Sequence, residues 1–362
     1  MDGGSDTSGI TLRPIDFTAL SGWRDDDHRA ALAAFRRGAE VLATHPPKRR
    51  SSGVNVAALA DAMARAASLP AEVSQEDARR FFERAFTPAL VEAEAFFTGF
   101  YEPTAEGSRI PTATFGVPLY GMPDDLVEIE PGSVDGLDPT FRFAKKTSDG
   151  LAEYPDRSAI MAGALAGRGL ELVYLRDPVE AFFIQVQGAA RIRLVDGSQM
   201  RITYAAKTGH PYTSIGKAML EMGALKPGGV TMQTIRAWLA AHPEAVADML
   251  AKNRSYVFFR EAPVTDETSG PIAAAKVPLT AGRSLAVDRL VHTFHAPVFI
   301  DTVLPDGAAY RRLMVAQDTG SAIVGPARGD IFFGSGGAAG EIAGAMQARG
   351  RFILLLPRGG QP

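Results

Sequence analysis

The chain has 362 residues, 46% apolar and 22% charged, with a net charge of -3. That is a globular composition with material for about two domains. Nothing in the overall charge balance suggests nucleic acid, and without cysteine the sequence has no disulfide, thiolate nucleophile, thiolate metal site or cysteine-linked lipid.

The opening "MDGGSDTSGI" is polar and acidic, neither a signal peptide nor a membrane anchor, and no run of about 18 apolar residues follows. An exported protein would carry its leader outside this stretch. Residues to about 90 read as helical. Asp25-Asp26-Asp27 supplies capping carboxylates ahead of "HRAALAAFRRGAEVLA", where Leu32, Phe35, Ala39 and Leu42 share a face. Arg36-Arg37 and Lys48-Arg49-Arg50 read as solvated surface. "VAALADAMARAA" and "SQEDARRFFERAF" are two further helices, the second with Ser74 and Asp77 at capping-box spacing.

The texture changes at Phe96, where glycine and proline begin to punctuate a strand-rich stretch. "AFFIQVQGAARIRLVDGSQMRITYAA" reads as a pair of strands, with Asp196-Gly197 as the hairpin signal. Helices are expected in "TSIGKAMLEMG", "TMQTIRAWLAAH" and "PEAVADMLAKN". Strands follow in "SYVFFRE", "RSLAVDR", "PVFIDTV", "RRLMVAQD" and "GDIFFG", and a short helix and the strand "RFILLLP" close the chain. This order suggests one domain interrupted by another, with a ligand cleft between them.

Several chemistries compete. Asp318-Thr319-Gly320-Ser321 after an apolar strand looks like an aspartic protease loop, but that site needs two such loops sharing a proton. Asp196-Gly197 is a hairpin turn and Asp6-Thr7-Ser8-Gly9 follows no strand, so the second loop is missing. "GHPYTSIGKAM" fails the phosphate-loop spacing, with Pro211 for the first glycine and Ala218 for the hydroxyl residue. His292 and His295 lack the helical His-Glu-x-x-His pattern and are expected as loop or surface histidines, not metal ligands.

Glycoside chemistry fits better. A carboxylic acid that protonates a glycosidic oxygen needs a raised pKa in a partly dry groove. Asp330, next to "IFFG", has the apolar setting that raises it, and Asp318 and Asp288 also end or interrupt apolar strands. From the residues alone, turn aspartates remain the competing explanation. "GFYEP", "FFIQVQG" and "YVFF" add aromatic and amide side chains suited to sugars, though the same aromatics could be core.

The pieces "FTGFYEP", "FFIQVQGAARIRL", "RITYAAKTGHPYTSIGK", "NRSYVFFRE", "PLTAGRSLAVDR", "RRLMVAQDTGSAIVGPARGDIFFGSG" and "RGRFILLLP" occur in one order across residues 96–357. Together they resemble the membrane-bound lytic murein transglycosylase A family. The resemblance implies a mainly β fold with helices. A double-psi β-barrel with N-terminal helices is expected over 1–105 and 256–362, and an inserted smaller β-rich, substrate-binding domain over 106–255. It implies a three-aspartate set, Asp288, Asp318 and Asp330, with Asp330 catalytic and the other two supporting. Thr98, Tyr101, Gln185, Gln187, Tyr212 and Ser214, all within the matching pieces, are the candidate substrate-binding residues.

The implied reaction cleaves the β-1,4 bond between N-acetylmuramic acid and N-acetylglucosamine in peptidoglycan without water, leaving a 1,6-anhydro end. No metal or cofactor is implied. The expected partners are peptidoglycan glycan strands and other cell-wall enzymes, the expected state a monomer, and the expected place the periplasm or outer membrane of a Gram-negative cell. Where the family often has a Pro- and Gly-containing turn after Asp-Arg, this chain has "LVHTFHAPVF", so the turn at His292–His295 is built differently. The alternatives are a hydrolase using Asp318 and Asp330 as acid and base, a non-catalytic wall-binding protein, and the protease.

Overall fold

The structure is a computed structural model that describes residues 10–263 and 269–359. Asp6-Thr7-Ser8-Gly9 therefore lies outside the described residues. The chain is mainly β with helices. In order it forms β1 (Leu12–Pro14), α1 (His28–Arg36), α2 (Val56–Ser68), α3 (Gln75–Ala85), β2 (Phe86–Val91) and β3 (Ala95–Glu102). Then come β4 (Thr104–Gly107), β5 (Val117–Tyr120), β6 (Leu126–Glu128), β7 (Phe143–Thr147), β8 (Gly150–Ala152), α4 (Arg157–Met161), β9 (Glu171–Leu175), α5 (Pro178–Gln187), β10 (Ala189–Leu194) and β11 (Gln199–Lys207). The last part holds α6 (Ile215–Glu221), α7 (Met232–Ala241), α8 (Val246–Ala251), β12 (Val257–Ala262), β13 (Ser284–Val287), β14 (Pro297–Val303), β15 (Ala309–Asp318), β16 (Arg328–Ser335), α9 (Gly337–Ala345) and β17 (Gln347–Pro357). Among the described residues no helix is long and apolar enough to cross a membrane.

Two compact units result, Met1–Tyr101 with Thr268–Pro362, and Glu102–Glu267. In the first, the strands run β1-β2-β17-β14-β15-β13-β16-β3, and β17 also pairs with β3, so six of them close into a ring. The pairing of β13 with β15 is parallel. Helices α1 to α3 cover the core, where Phe35, Phe82, Phe86 and Phe299 are fully buried. Each such ring contributes about 1.5–3 kcal/mol by leaving water.

One capping residue departs from expectation. Asp27 does cap α1, accepting from the Ala30 N–H at 3.1 Å. Asp26 instead points inward, where both its oxygens receive Arg283, at 2.8 and 2.9 Å, and one also receives the Leu313 N–H at 2.6 Å. It is buried at 1% exposure, so this bidentate pair is nearly dry and locks the start of α1 to β13 and β15. Removing either partner would strand the other's charge.

The second unit has a sheet ordered β12-β11-β10-β4, a pair β5-β9, and a small sheet β6-β7-β8. Here "AFFIQVQ" is helix α5, not the strand expected. Five successive residues, Ala181 to Gln185, are buried, so no polar face exposes the helical period. The caps decide it: Asp177 accepts from the Glu180 N–H, Pro178 sits in the first turn, and Gly188 ends the helix at φ 79°. The hairpin at Asp196-Gly197 between β10 and β11 forms as the sequence suggests. Glu102 is buried between Arg191 and Arg201, at 2.8 and 2.7 Å.

Candidate active site

The site is keyed to one small residue, Ala286 in the middle of β13. On one side it pairs with Asp330 of β16, and on the other with Asp318 of β15. Residues directly across a ladder share a face. Both carboxylates therefore rise from the same face of the sheet, with backbones roughly 10 Å apart, two strand spacings.

Asp318 reaches that face only because β15 carries a bulge. Leu285 pairs with Ala316, yet Ala286 pairs with Asp318, so Gln317 is the extra residue. Gln317 is fully buried and satisfied. Its amide donates to Ala34 O at 2.9 Å, its side-chain oxygen accepts from Ser284 at 2.6 Å, and its carbonyl accepts from the Ala275 N–H at 3.0 Å. Without the bulge, alternation would turn Asp318 to the opposite face.

Asp330 shares its face with a small apolar cluster of Phe100, Leu279, Ala286 and Phe332. Burial among protein atoms pushes its carboxyl pKa up, opposed by the Thr98 hydroxyl and the Arg328 guanidinium. Thr98, on β3, donates to Asp330 Oδ1. Arg328 Nη2 donates to Thr98 Oγ1 at 2.6 Å, and its Nη1 donates to Gly329 O at 2.5 Å. Its guanidinium also lies over the Phe96 ring, 5.2 Å from the centroid. An arginine can only donate, so it occupies a lone pair of the hydroxyl and leaves the Thr98 proton for Asp330. With Oδ1 accepting that proton, Oδ2 is left without the hydroxyl.

Burial likewise raises Asp318, to about 6, with the Thr319 and Ala274 N–H groups opposing and the charge of Asp330 adding to the rise. The Ala274 N–H lies 3.2 Å from its Oδ1. The charge of Asp330 is thus the smallest of the influences on Asp318, whose rise is mainly due to burial.

Asp288 does different work. It is 8% exposed, and its oxygens accept the Leu290 N–H at 2.9 Å and the Gly325 N–H at 2.8 Å. It ties the turn after β13 to the loop joining Asp318 and Asp330. His292 and His295 are loop histidines, as expected, but they lie inside this turn and not at the surface, at 1% and 2% exposure. Burial lowers both pKa values to about 4, so both are neutral at pH 7. The His292 Nε2–H then donates to Pro326 O at 2.7 Å, and its ring stacks on Phe352. They hold the turn from inside.

Thr98 thus joins Asp330 and Asp318 within the first unit. Tyr101, three residues along β3, faces the other way and packs on α9: a Cβ on Gly340 would lie 2.8 Å from its ring. In the second unit Gln185 is buried and its amide oxygen accepts from Arg157 at 2.6 Å. Gln187 and Tyr212 are half-buried, and Ser214 is exposed as the N-cap of α6. Among the described residues no three of His, Asp and Glu gather as a metal site.

The sequence reading missed Arg328, Gln317 and Arg157. Arg328 could have been found, since it stands two residues before Asp330 on a strand and so shares its face. A bulge leaves no comparable mark.

A carboxyl whose pKa burial raises, with one oxygen engaged by a fixed hydroxyl, has the equipment of a general acid. Family models bear on which one. The MltA specific insert domain matches residues 96–260 and the 3D domain matches 283–356. The crystal structure of a membrane-bound lytic murein transglycosylase from Agrobacterium tumefaciens superposes with a TM-score of 0.90 at 46% identity, over 96% of this chain and 98% of that one. Escherichia coli MltA with bound chitohexaose superposes at 0.67 with 25% identity, over 98% and 96%. Membrane-bound lytic murein transglycosylase A of Escherichia coli K12 is 32% identical over 268 residues, 72% of this chain. That match spans 65% of the curated relative's length. The chain belongs to the membrane-bound lytic murein transglycosylase A family.

Proposed function

We propose that the protein cleaves peptidoglycan glycan strands between N-acetylmuramic acid and N-acetylglucosamine without water. The observation that carries this reading is Asp330, a carboxyl raised by burial and held through its Oδ1 by Thr98. Oδ2 gives its proton to the glycosidic oxygen as the C1–O bond breaks. The resulting carboxylate takes the proton of the muramyl C6 hydroxyl as that oxygen bonds to C1, closing the 1,6-anhydro ring. The acid is regenerated and nothing else is consumed. One carboxyl suffices because the nucleophile belongs to the substrate, and holding it near C1 makes the step intramolecular. Asp318 keeps the proton on the pair at higher pH, and Asp288 holds the loop between the two. Thr98 serves the acid.

The six-stranded ring supports a double-psi barrel for the first unit, and residues 106–255 serve as the substrate-binding insert, through side chains such as Gln187, Tyr212 and Ser214. The glycan ligand of the E. coli relative supports glycan strands as partner, and the relatives' membrane-bound naming supports the Gram-negative envelope. The test is mass spectrometry of products from purified sacculi. Anhydro ends are expected, absent with Asp330→Asn; reducing ends alone would defeat the reading. A second reading, an inverting hydrolase, rests on the shared face of Asp318 and Asp330, because such pairs stand about 6.5–9.5 Å apart with a water between. Heavy oxygen from solvent appearing in the product would favour it.

A further inference from the structure

A basic surface adjoins the acid. The Ser52 N–H donates to Val291 O at 2.8 Å, Thr293 Oγ1 to Lys48 O at 3.0 Å, and Ser51 Oγ to Leu290 O at 3.3 Å. These bonds lay residues 48–52 along the turn that Asp288 anchors. Lys48, Arg49 and Arg289 are exposed there and Arg50 is half-buried. Among the described residues none of these four makes an ion pair or side-chain hydrogen bond. Two apolar side chains stand on the same surface, Leu290 at 58% and Val324 at 71% exposure. The Leu290 N–H and the Gly325 N–H both bind the Asp288 carboxylate, so the two side chains flank one point.

The distance to Asp330 follows from register. Asp330 pairs with Ala286, and Arg289 is three residues further on, at most roughly 10 Å along the strand direction. That is a span of the order of one disaccharide. A strand seated with its scissile bond at Asp330 would therefore bring the adjoining sugar and whatever it bears to these cations.

We propose that this surface binds the acidic peptide carried by the muramyl sugar next to the scissile bond, a proposal that rests on the reading of Asp330 as the acid of a peptidoglycan-cleaving enzyme. Lys48, Arg49 and Arg289 pair with the peptide's free carboxylates, and Leu290 and Val324 cover its aliphatic side chains. Unpaired cations have no partner to give up on binding, so the contact costs little rearrangement. An anionic bilayer would also suit cations beside protruding apolar groups. A bilayer pressed here would lie over the acid, which favours the peptide.

The test separates recognition from turnover. In the Asp330→Asn chain, which holds strands uncut, binding is measured to peptide-bearing and to peptide-free glycan strands. It is then repeated after Lys48→Gln, Arg49→Gln and Arg289→Gln together. Exposed ion pairs contribute modestly each, so the triple change is expected to weaken binding of peptide-bearing strands about ten-fold. Peptide-free strands should bind unchanged, and the salt dependence of the peptide-bearing strands should flatten. Equal weakening of both substrates, or of neither, overturns the proposal. So does loss of binding to anionic phosphatidylglycerol vesicles with strand binding intact. Unchanged thermal melting of the triple variant excludes misfolding. Because binding is read without cleavage, an outcome here is independent of whether wild type releases anhydro products.

Discussion

Replacing Asp318 by Asn should make the protein more stable and less active. Asp318 is raised from 3.8 to about 6 chiefly because burial penalises its charge. At about 1.4 kcal/mol per pH unit, that rise amounts to about 3 kcal/mol of strain in the ionised folded state. The sign follows from the direction. A carboxyl raised on folding costs nothing below pH 4, where it is protonated in both states. The cost grows between pH 4 and 6 and is fully present above. Asn carries no charge, so it removes the penalty at pH 8 and changes little at pH 3.5. An amide N–H in place of one acceptor oxygen, facing the Ala274 or Thr319 N–H, would cost about 1 kcal/mol. The net gain expected at pH 8 is thus about 2 kcal/mol. Activity should move the other way. Like charges oppose each other's ionisation, and Asp318→Asn removes one of the two. Asp330 then loses its proton at lower pH, and the alkaline limb of kcat/KM should shift toward acid. Urea unfolding at pH 3.5 and 8, beside a pH–rate profile on sacculi, measures both. A stability change equal at the two pH values, or an unmoved alkaline limb, would refute the coupling of burial and charge argued here.

Thr98→Val should shift the alkaline limb toward higher pH, because the hydroxyl that holds the Asp330 carboxyl down is gone; Thr98→Ser should keep the wild-type profile. Arg157→Leu should destabilise the second unit by about 3 kcal/mol or more. Its guanidinium bonds Asn253 O, Gln185 Oε1 and Ser255 O at 2.6–2.8 Å, and each orphaned acceptor costs about 1–3 kcal/mol. Burial lowers the Arg157 pKa only to about 10, so it is charged at pH 7, and the Phe182 ring, 4.7 Å from it, shares in holding it. Hydrogen exchange should speed up around residues 157–185 and 253–256 in that variant.

Much of the site was readable as chemistry on strands. Asp330 beside "IFFG" declares a carboxylate among apolar side chains, and the structure shows that burial raising it. What stayed hidden depends on partners distant in sequence. Asp26 looks like a capping residue until Arg283, far along the chain, arrives to meet it. His292 and His295 look like surface polar residues because burial of a neutral imidazole needs only one carbonyl, Pro326 O in the case of His292. Helix α5 was missed because its five successive buried residues, Ala181 to Gln185, break the helical period, and its caps carried the information instead.

The extra residue in β15 has a consequence for how such chains can vary. The twelve-residue interval from Asp318 to Asp330 is slack, because each carboxylate takes its heading from its own strand beside Ala286. Residues gained or lost near the exposed Gly320–Ala322 tip should leave the two aspartates aimed alike. Loss of a single residue from the buried stretch around Gln317 should not, since it removes the bulge and turns Asp318 to the opposite face. Tolerance to insertion and deletion is therefore expected to change abruptly within a few positions: free at the tip of the loop, and forbidden one step inside the strand.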